Sequence, residues 1–135
     1  MTERRYRRDI ASLQTMFEFV SEFLATREIP SSNSFVPHLV LDELFTNALK
    51  YRKGGDDTVA VRIGLEGEIL ILSFVEFGVE PFDITAIPDP DLSGPIHERH
   101  AGGMGIYLVK RLADHVSYEH RDGVSTTTIT KRVER

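Results

Sequence analysis

No cysteine occurs among the 135 residues of this chain, which excludes a disulfide framework and any thiolate metal site. Nor does any apolar stretch approach the ~20 residues needed to cross a bilayer, and the N-terminus lacks the apolar core of a signal peptide. Positive charge is scarce as well. The 16 lysines and arginines are outnumbered by 21 aspartates and glutamates, for a formal charge of -5 and a pI near 5.5. This balance argues against direct nucleic-acid binding, because proteins that hold the phosphate backbone carry a basic surface. The one basic run, Arg4, Arg5, Arg7 and Arg8, reads as a solvated first strand or arm. These absences lead to the expectation of a soluble, cytoplasmic protein that does not engage membranes. With 41% hydrophobic and 27% charged residues, the composition fits one globular domain over residues 1–135, long enough to bury a sizeable core.

Hydrophobic periodicity divides the chain. Asp9 is placed to cap a helix in which Ile10, Leu13, Met16, Phe17, Val20, Phe23 and Leu24 recur at three- and four-residue spacing, ending before Pro30. After a polar turn at Ser31 to Ser34, a second helix carries Val40, Leu41, Leu44, Phe45 and Ala48 inward until Gly54 and Gly55 stop it. From Thr58 the period becomes two, with Val59, Val61, Ile63 and Leu65 alternating, and Ile69 to Val75 follows the turn at Gly67 as the second arm of a hairpin. The breakers between Gly78 and Gly105, including Pro81, Pro88, Pro90 and Pro95, predict a long loop. Ile106, Leu108, Val109, Leu112 and Ala113 then restore helical spacing, with the glycines before them leaving the helix start open. Val116 to Glu119 and Thr126 to Val133 form a last hairpin around Asp122 and Gly123. Helix, helix, hairpin, loop, helix, hairpin is the order of an α+β, two-layer domain with helices on one face of a largely antiparallel sheet.

Three clusters carry chemistry. Glu43 and Asn47 stand one helical turn apart on one face, so Asn47 can offer a neutral oxygen to a hard cation such as magnesium while Glu43 orients or deprotonates a hydroxyl. Taken alone, the pair is more often the solvated face of an amphipathic helix. Gly102, Gly103, Met104 and Gly105 stand at a helix entrance, where unpaired N–H groups and the helix dipole favour an anion. A flexible loop before a helix gives the same pattern. No Gly-Lys-Ser/Thr follows, so the run is not a P-loop, and Leu108 stands where a dinucleotide fingerprint needs its third glycine. Glu76, Gly78, Pro81 and Phe82 close an apolar strand, where a carboxylate can accept from an exocyclic amine and glycine permits close approach of a flat ring.

In this order the clusters resemble the GHKL ATPases. Leu41-Asp-Glu43-Leu-Phe-Thr-Asn47-Ala-Leu-Lys50-Tyr51 looks like their N-box, Glu76-Phe-Gly78-Val-Glu-Pro-Phe82-Asp83 like the box that grips adenine, and Gly102-Gly-Met-Gly105-Ile-Tyr-Leu-Val-Lys like the phosphate box. Small size and a short lid are most similar to the anti-sigma-factor serine kinases. The resemblance implies a two-layer sandwich with a mostly antiparallel mixed sheet, and ATP and Mg2+ as cofactors. It also implies Glu43 as general base, Asn47 as magnesium ligand, and a nucleotide site of Lys50, Glu76, Gly78, Phe82, Gly102, Gly103, Met104 and Gly105, with Thr126 touching the base from the last strand. The implied partners are a sigma factor and a STAS-domain anti-anti-sigma factor phosphorylated on serine, and the implied assembly is a homodimer.

The match departs from the family in three places. Glu76 stands where the family has aspartate, moving the carboxylate outward by about a C–C bond length, and this leaves open a non-catalytic interaction module with weak or no ATP binding. Tyr51 replaces a histidine at the end of the N-box. His97 and His100 are three residues apart, unlike the spacing of four in a helical zinc motif, and Arg99 between them is a candidate phosphate or partner contact.

Overall fold

In the strand pair β2 (Thr58–Glu66) and β3 (Ile69–Phe77), the register sets Val61 beside Phe74 and Ile63 beside Leu72. Successive strand side chains point to opposite faces, so this pairing collects Val59, Val61, Ile63, Leu70, Leu72 and Phe74 on one side. The helices cover that side. The computed structural model describes residues 1–51, 55–90 and 101–135. Around the hairpin it places β1 (Thr2–Arg7), α1 (Ser12–Thr26), α2 (Phe35–Tyr51), α3 (Ala101–Leu112), β4 (His115–Arg121) and β5 (Val124–Arg132), with single 3-10 turns at Ser31–Ser34 and Ile84–Ala86. Among the described residues of the long predicted loop, a short turn forms near its start and the last residues are already helical.

The sheet runs β1-β2-β3-β5-β4, and all four pairings are antiparallel. The expected mixed character is therefore corrected. β4, reached from β3 through α3, does run parallel to β3, but β5 folds back between the two, so no parallel pair touches among the described residues. The predicted two layers hold: Met16, Phe19, Val20, Phe23 and Leu24 of α1, Val40, Leu41, Leu44, Phe45 and Ala48 of α2, and Ile106 and Val109 of α3 pack with the inner strand residues into one buried cluster. Phe45 meets Phe74 edge-on, ring centroids 6.3 Å apart, a favoured aromatic geometry. Among the described residues no helix is long and apolar enough to cross a membrane.

The first helix begins later than its periodicity predicts. Arg8 N–H still donates to the Asp57 carbonyl beside the sheet at 2.8 Å, and the Asp9 carboxylate accepts from Ala11 N–H at 2.9 Å. Asp9 thus shapes a turn leading into the helix, and Ile10 is 60% exposed. At the other end Glu28 takes φ +57°, Ile29 N–H reaches the Leu24 carbonyl, and Glu28 N–H reaches that of Ala25. That paired return closes a helix in a left-handed cap. The basic run forms the expected strand, with Arg4, Arg5 and Arg7 exposed and Arg8 half-buried. Arg4 lies over the Phe19 ring and Arg5 over Phe77, while Arg8 Nη2 donates to the Ala48 carbonyl at 3.0 Å, satisfying the end of α2.

Where α1 and α2 cross, the His38 ring stacks on Phe17 with centroids 4.5 Å apart, and its Nε2 lies 3.2 Å from the Phe17 carbonyl. The nitrogen facing a carbonyl is the one bearing the proton. Burial holds the His38 pKa below its ordinary 6.5, with the Phe17 carbonyl opposing. The unfolded chain therefore takes up the proton first, and the stability contributed by neutral His38 is present above about pH 6.5 and lost as pH falls through the folded value. In thermal melts from about pH 7 to about pH 5, wild type is expected to lose its advantage over His38→Gln. A constant difference across that range would show that this histidine is not the sensitive group.

Candidate functional site

Leu41, Leu44, Phe45 and Ala48 bind one face of α2 to the core, so Glu43 and Asn47 project from its flank, both half-buried. Burial raises the Glu43 pKa above the usual carboxylate value, the negative Asp42 beside it adds to the rise, and Lys50 opposes it. A carboxyl group so placed holds a proton more strongly than one in water. Lys50 itself lies exposed in the last turn of α2, and Tyr51 is 69% exposed.

Opposite Glu43 comes the first part of α3. This helix starts at Ala101, so Gly102, Gly103 and Gly105 lie within it rather than before it as the spacing predicts. Glycine accepts helical angles but contributes no apolar side chain, so periodicity cannot register the extra turn. Met104 is half-buried and Gly105 is buried. A methyl group added to Gly105 would overlap the carboxyl carbon and both oxygens of Glu43. Two segments far apart in sequence thus meet through a residue with no side chain and a partly desolvated acid.

The third cluster forms at the end of β3. Glu76 is only 4% exposed and shares the helix-covered face with Phe74 and Leu72, two and four residues back. Gly78 follows with φ +66°, a left-handed conformation suited to glycine. A Cβ there would lie 3.0 Å from Asp56 Oδ1, and neighbouring backbone bonds run from Asp56 N–H to Phe77 and from Val79 N–H to Gly123. Since Arg8 also reaches both Ala48 and the Asp56 carbonyl, the C-terminal half of α2 lies at the same end of the sheet as Glu76 and Gly78. Pro81 and Phe82 lie at the surface beyond them.

Thr126 is not brought to that face. It pairs with Val75 and Glu119, whereas Glu76 lies directly opposite Ser125, so alternation turns Thr126 to the other side of the sheet. Ser125 and Thr127 face inward instead and are buried at 3% and 7% exposure. Sequence reasoning missed them, and also Tyr118 and His120 across on β4. The usable signal was Ile129: an inward apolar residue near the end of β5 assigns 127 and 125 to its own face. Tyr118 Oη lies 2.7 Å from Ser125 Oγ and accepts from Phe82 N–H at 2.8 Å, and His120 Nε2 lies 2.8 Å from the Val79 carbonyl. Farther on, Asp83 accepts from Thr85 N–H at 2.8 Å and Lys110 donates to the Ile87 carbonyl, tying α3 to the segment after Gly78. His97, Arg99 and His100 lie outside the described residues. No group of three metal-binding side chains occurs among the described ones.

A buried carboxylate beside a glycine with positive φ suits an amine-bearing flat ring. An acid and an amide on α2, closed over by a glycine-rich helix start, suit a metal-bound polyphosphate. Comparison with known proteins agrees in kind. Residues 6–131 match the model of the histidine kinase-like ATPase domain. The fold is similar to that of the RsbU and RsbW domains of Rv1364c from Mycobacterium tuberculosis, with a TM-score of 0.65 and 18% identity over 100% of this chain and 33% of that one. It is also similar to the Acinetobacter baumannii histidine kinase AdeS, with a TM-score of 0.52 and 16% identity over 100% of this chain and 69% of that one. At such identities the likeness is one of fold, and the chain spans about a third of the first of these proteins. No curated protein sequence matches the chain.

Proposed function

Because the chain belongs to the histidine kinase-like ATPase family, we propose that it is an ATP-dependent protein serine kinase and anti-sigma factor, with residues 1–135 forming one nucleotide-binding domain. The observation that carries this reading is the meeting of Glu43 with Gly105. It sets a basic carboxylate against the glycine-rich start of α3, where phosphate would be held. Adenine would be held by Glu76, Gly78 and Phe82, the phosphates by Lys50, Gly102, Gly103, Met104 and Gly105, and magnesium by Asn47. Mg-ATP, when bound, would supply the γ-phosphoryl group, which would pass to the serine oxygen as its bond to ADP breaks, with the magnesium ion offsetting the phosphate charge. Glu43, whose proton affinity burial has raised, accepts the proton of a partner's serine hydroxyl. Asn47, one turn along α2, offers its amide oxygen on the same flank.

The partners in this reading are a sigma factor and a STAS-domain anti-anti-sigma factor that provides the serine, and the assembly is a cytoplasmic homodimer. The sequence boxes support it, together with the fold shared with a structure that contains an RsbW domain. Calorimetric titration with ATP and ADP, with and without magnesium, is the first test. Magnesium-dependent binding of micromolar strength, about -8 kcal/mol, is expected despite the longer carboxylate at Glu76. No detectable heat, with an unchanged melting temperature, would overturn the kinase reading in favour of a non-catalytic interaction module.

A further inference from the structure

The strand order leaves β1 at an edge of the sheet, and among the described residues no strand pairs with its outer side. Its backbone groups can be assigned one by one. In an antiparallel pair, residues that exchange hydrogen bonds with the neighbouring strand alternate with residues whose N–H and C=O turn away from it. Arg8 N–H donates to the Asp57 carbonyl, one step beyond the Arg7–Thr58 pair. Thr2, Arg4 and Tyr6 therefore bond inward like Arg8, while Glu3, Arg5 and Arg7 turn to the free edge. The Arg7 carbonyl is taken by Asp9 N–H at 2.8 Å. The edge thus offers a donor and an acceptor at Glu3 and at Arg5 and a donor at Arg7, in the spacing of a strand ladder.

Long charged side chains often guard an edge of this kind, but here the two central ones are drawn off it. Arg4 lies over the Phe19 ring on the helix-covered face, 4.7 Å from its centroid, and Arg5 lies over Phe77 on the other face at 4.5 Å. Phe77 belongs to β3, so Arg5 reaches inward across β2. Both side chains stay more than half exposed, at 54% and 57%, and their ion pairs with Glu22 and Glu3 are loose, at 3.7 and 3.8 Å. Positive charge therefore flanks an open backbone edge from both faces, Arg4 on one and Arg5 and Arg7 on the other.

We propose that β1 is a docking edge for an extended acidic segment of a partner protein, which joins the sheet beside it as a sixth strand. Main-chain bonds to Glu3, Arg5 and Arg7 hold such a segment, and its acidic side chains, alternating between faces, meet the arginines of each. A second copy of this chain is a poorer occupant. Residues 3–8 hold four arginines and one acid, and like charges opposed across a strand pair destabilise it. The overall charge of -5 disfavours nucleic acid. The proposal is independent of the nucleotide reading.

The test titrates the whole chain into a short, capped, fluorescent peptide of valine and glutamate with acids on both faces, read by anisotropy. Binding is expected that weakens as salt rises. Replacing the glutamates of the peptide by glutamine, or making Arg4→Gln with Arg5→Gln in the protein, should weaken it about threefold to tenfold, the worth of two exposed ion pairs. Methylating every second peptide nitrogen leaves one bonding edge and should be tolerated, whereas methylating all of them keeps the charge and should abolish binding. Equal binding of the two methylated peptides would mean attraction of charge without strand pairing, and it overturns the proposal. So does the absence of binding, or tighter binding of a single-stranded oligonucleotide than of the peptide. Sedimentation in which the peptide splits a dimer would assign the edge to a second copy and also overturn it. Should the double variant melt much earlier, the glutamine peptide decides on the wild-type protein, since undiminished binding there removes the role of the arginines.

Discussion

Glu43→Gln is expected to cut phosphoryl transfer by orders of magnitude and, at neutral pH, to make the protein more stable. The two effects share a cause. Burial between α2 and α3 raises the pKa of this carboxyl group, with Asp42 adding to the rise and Lys50 opposing it, so the charged form that a base requires is the form the fold disfavours. The folded state holds the proton more tightly than the unfolded chain. Stability is therefore fullest below the ordinary value of 4.5 and is lost as pH rises through the folded value. Glutamine keeps the shape and removes the charge, so the variant's advantage in melting temperature should grow from about pH 4.5 upward and vanish below it. Transfer of labelled γ-phosphate to the serine substrate should fall about 10²–10⁴-fold, the range for a lost general base, while calorimetry shows ATP affinity little changed. Persistent transfer would remove Glu43 from the mechanism. A destabilised variant would mean that the carboxylate contributes a bond outweighing its burial.

Gly105→Ala should leave stability nearly unchanged and still cost most of the activity. Alanine is favoured over glycine in a helix interior by about 1 kcal/mol, which argues for stabilisation. Against it stands the overlap of the new methyl with the Glu43 carboxylate. Those atoms end a flexible side chain, so Glu43 can swing aside at an off-rotamer cost of about 0.5–1.5 kcal/mol, and the two contributions roughly cancel. A catalytic group displaced by an ångström or more loses about 10²-fold in rate. Urea unfolding and phosphoryl-transfer assays on one sample separate these effects. Full activity would show that the placement of Glu43 against Gly105 is not the working one. A stability loss beyond about 3 kcal/mol would show that α2 and α3 cannot yield at this contact, as in an overpacked core.

The two variants probe features of different legibility. That Glu43 and Asn47 share a helix flank follows from a spacing of four. That Glu43 touches Gly105 is invisible to any local pattern, because it depends on α3 crossing back over α2. The β2–β3 hairpin could be read from its period of two and the turn at Gly67, and the burial of Leu41, Leu44, Phe45 and Ala48 from three- and four-residue spacing. Periodicity misplaced the start of α3 because Gly102, Gly103 and Gly105 carry no side chain to count. It misplaced the cap of α1 because Arg8 is still held to Asp57 where the helical spacing already begins. Thr126 was chosen by its neighbours in the chain, while the face it occupies is set by its pairing with Val75.

By itself, the amino-acid order determined the elements and their buried faces, since both follow from interactions within a few residues, and it placed the acid, the amide and the glycines in a recognisable series. Only the tertiary structure decided that β5 lies between β3 and β4, that Ser125 rather than Thr126 stands opposite Glu76, that Tyr118 reaches Ser125, and that Gly105 closes on Glu43. Those relations depend on strand register and helix crossing. A shift of one residue in register exchanges every side chain between the two faces of a sheet, and register is settled by contacts between segments distant in the chain.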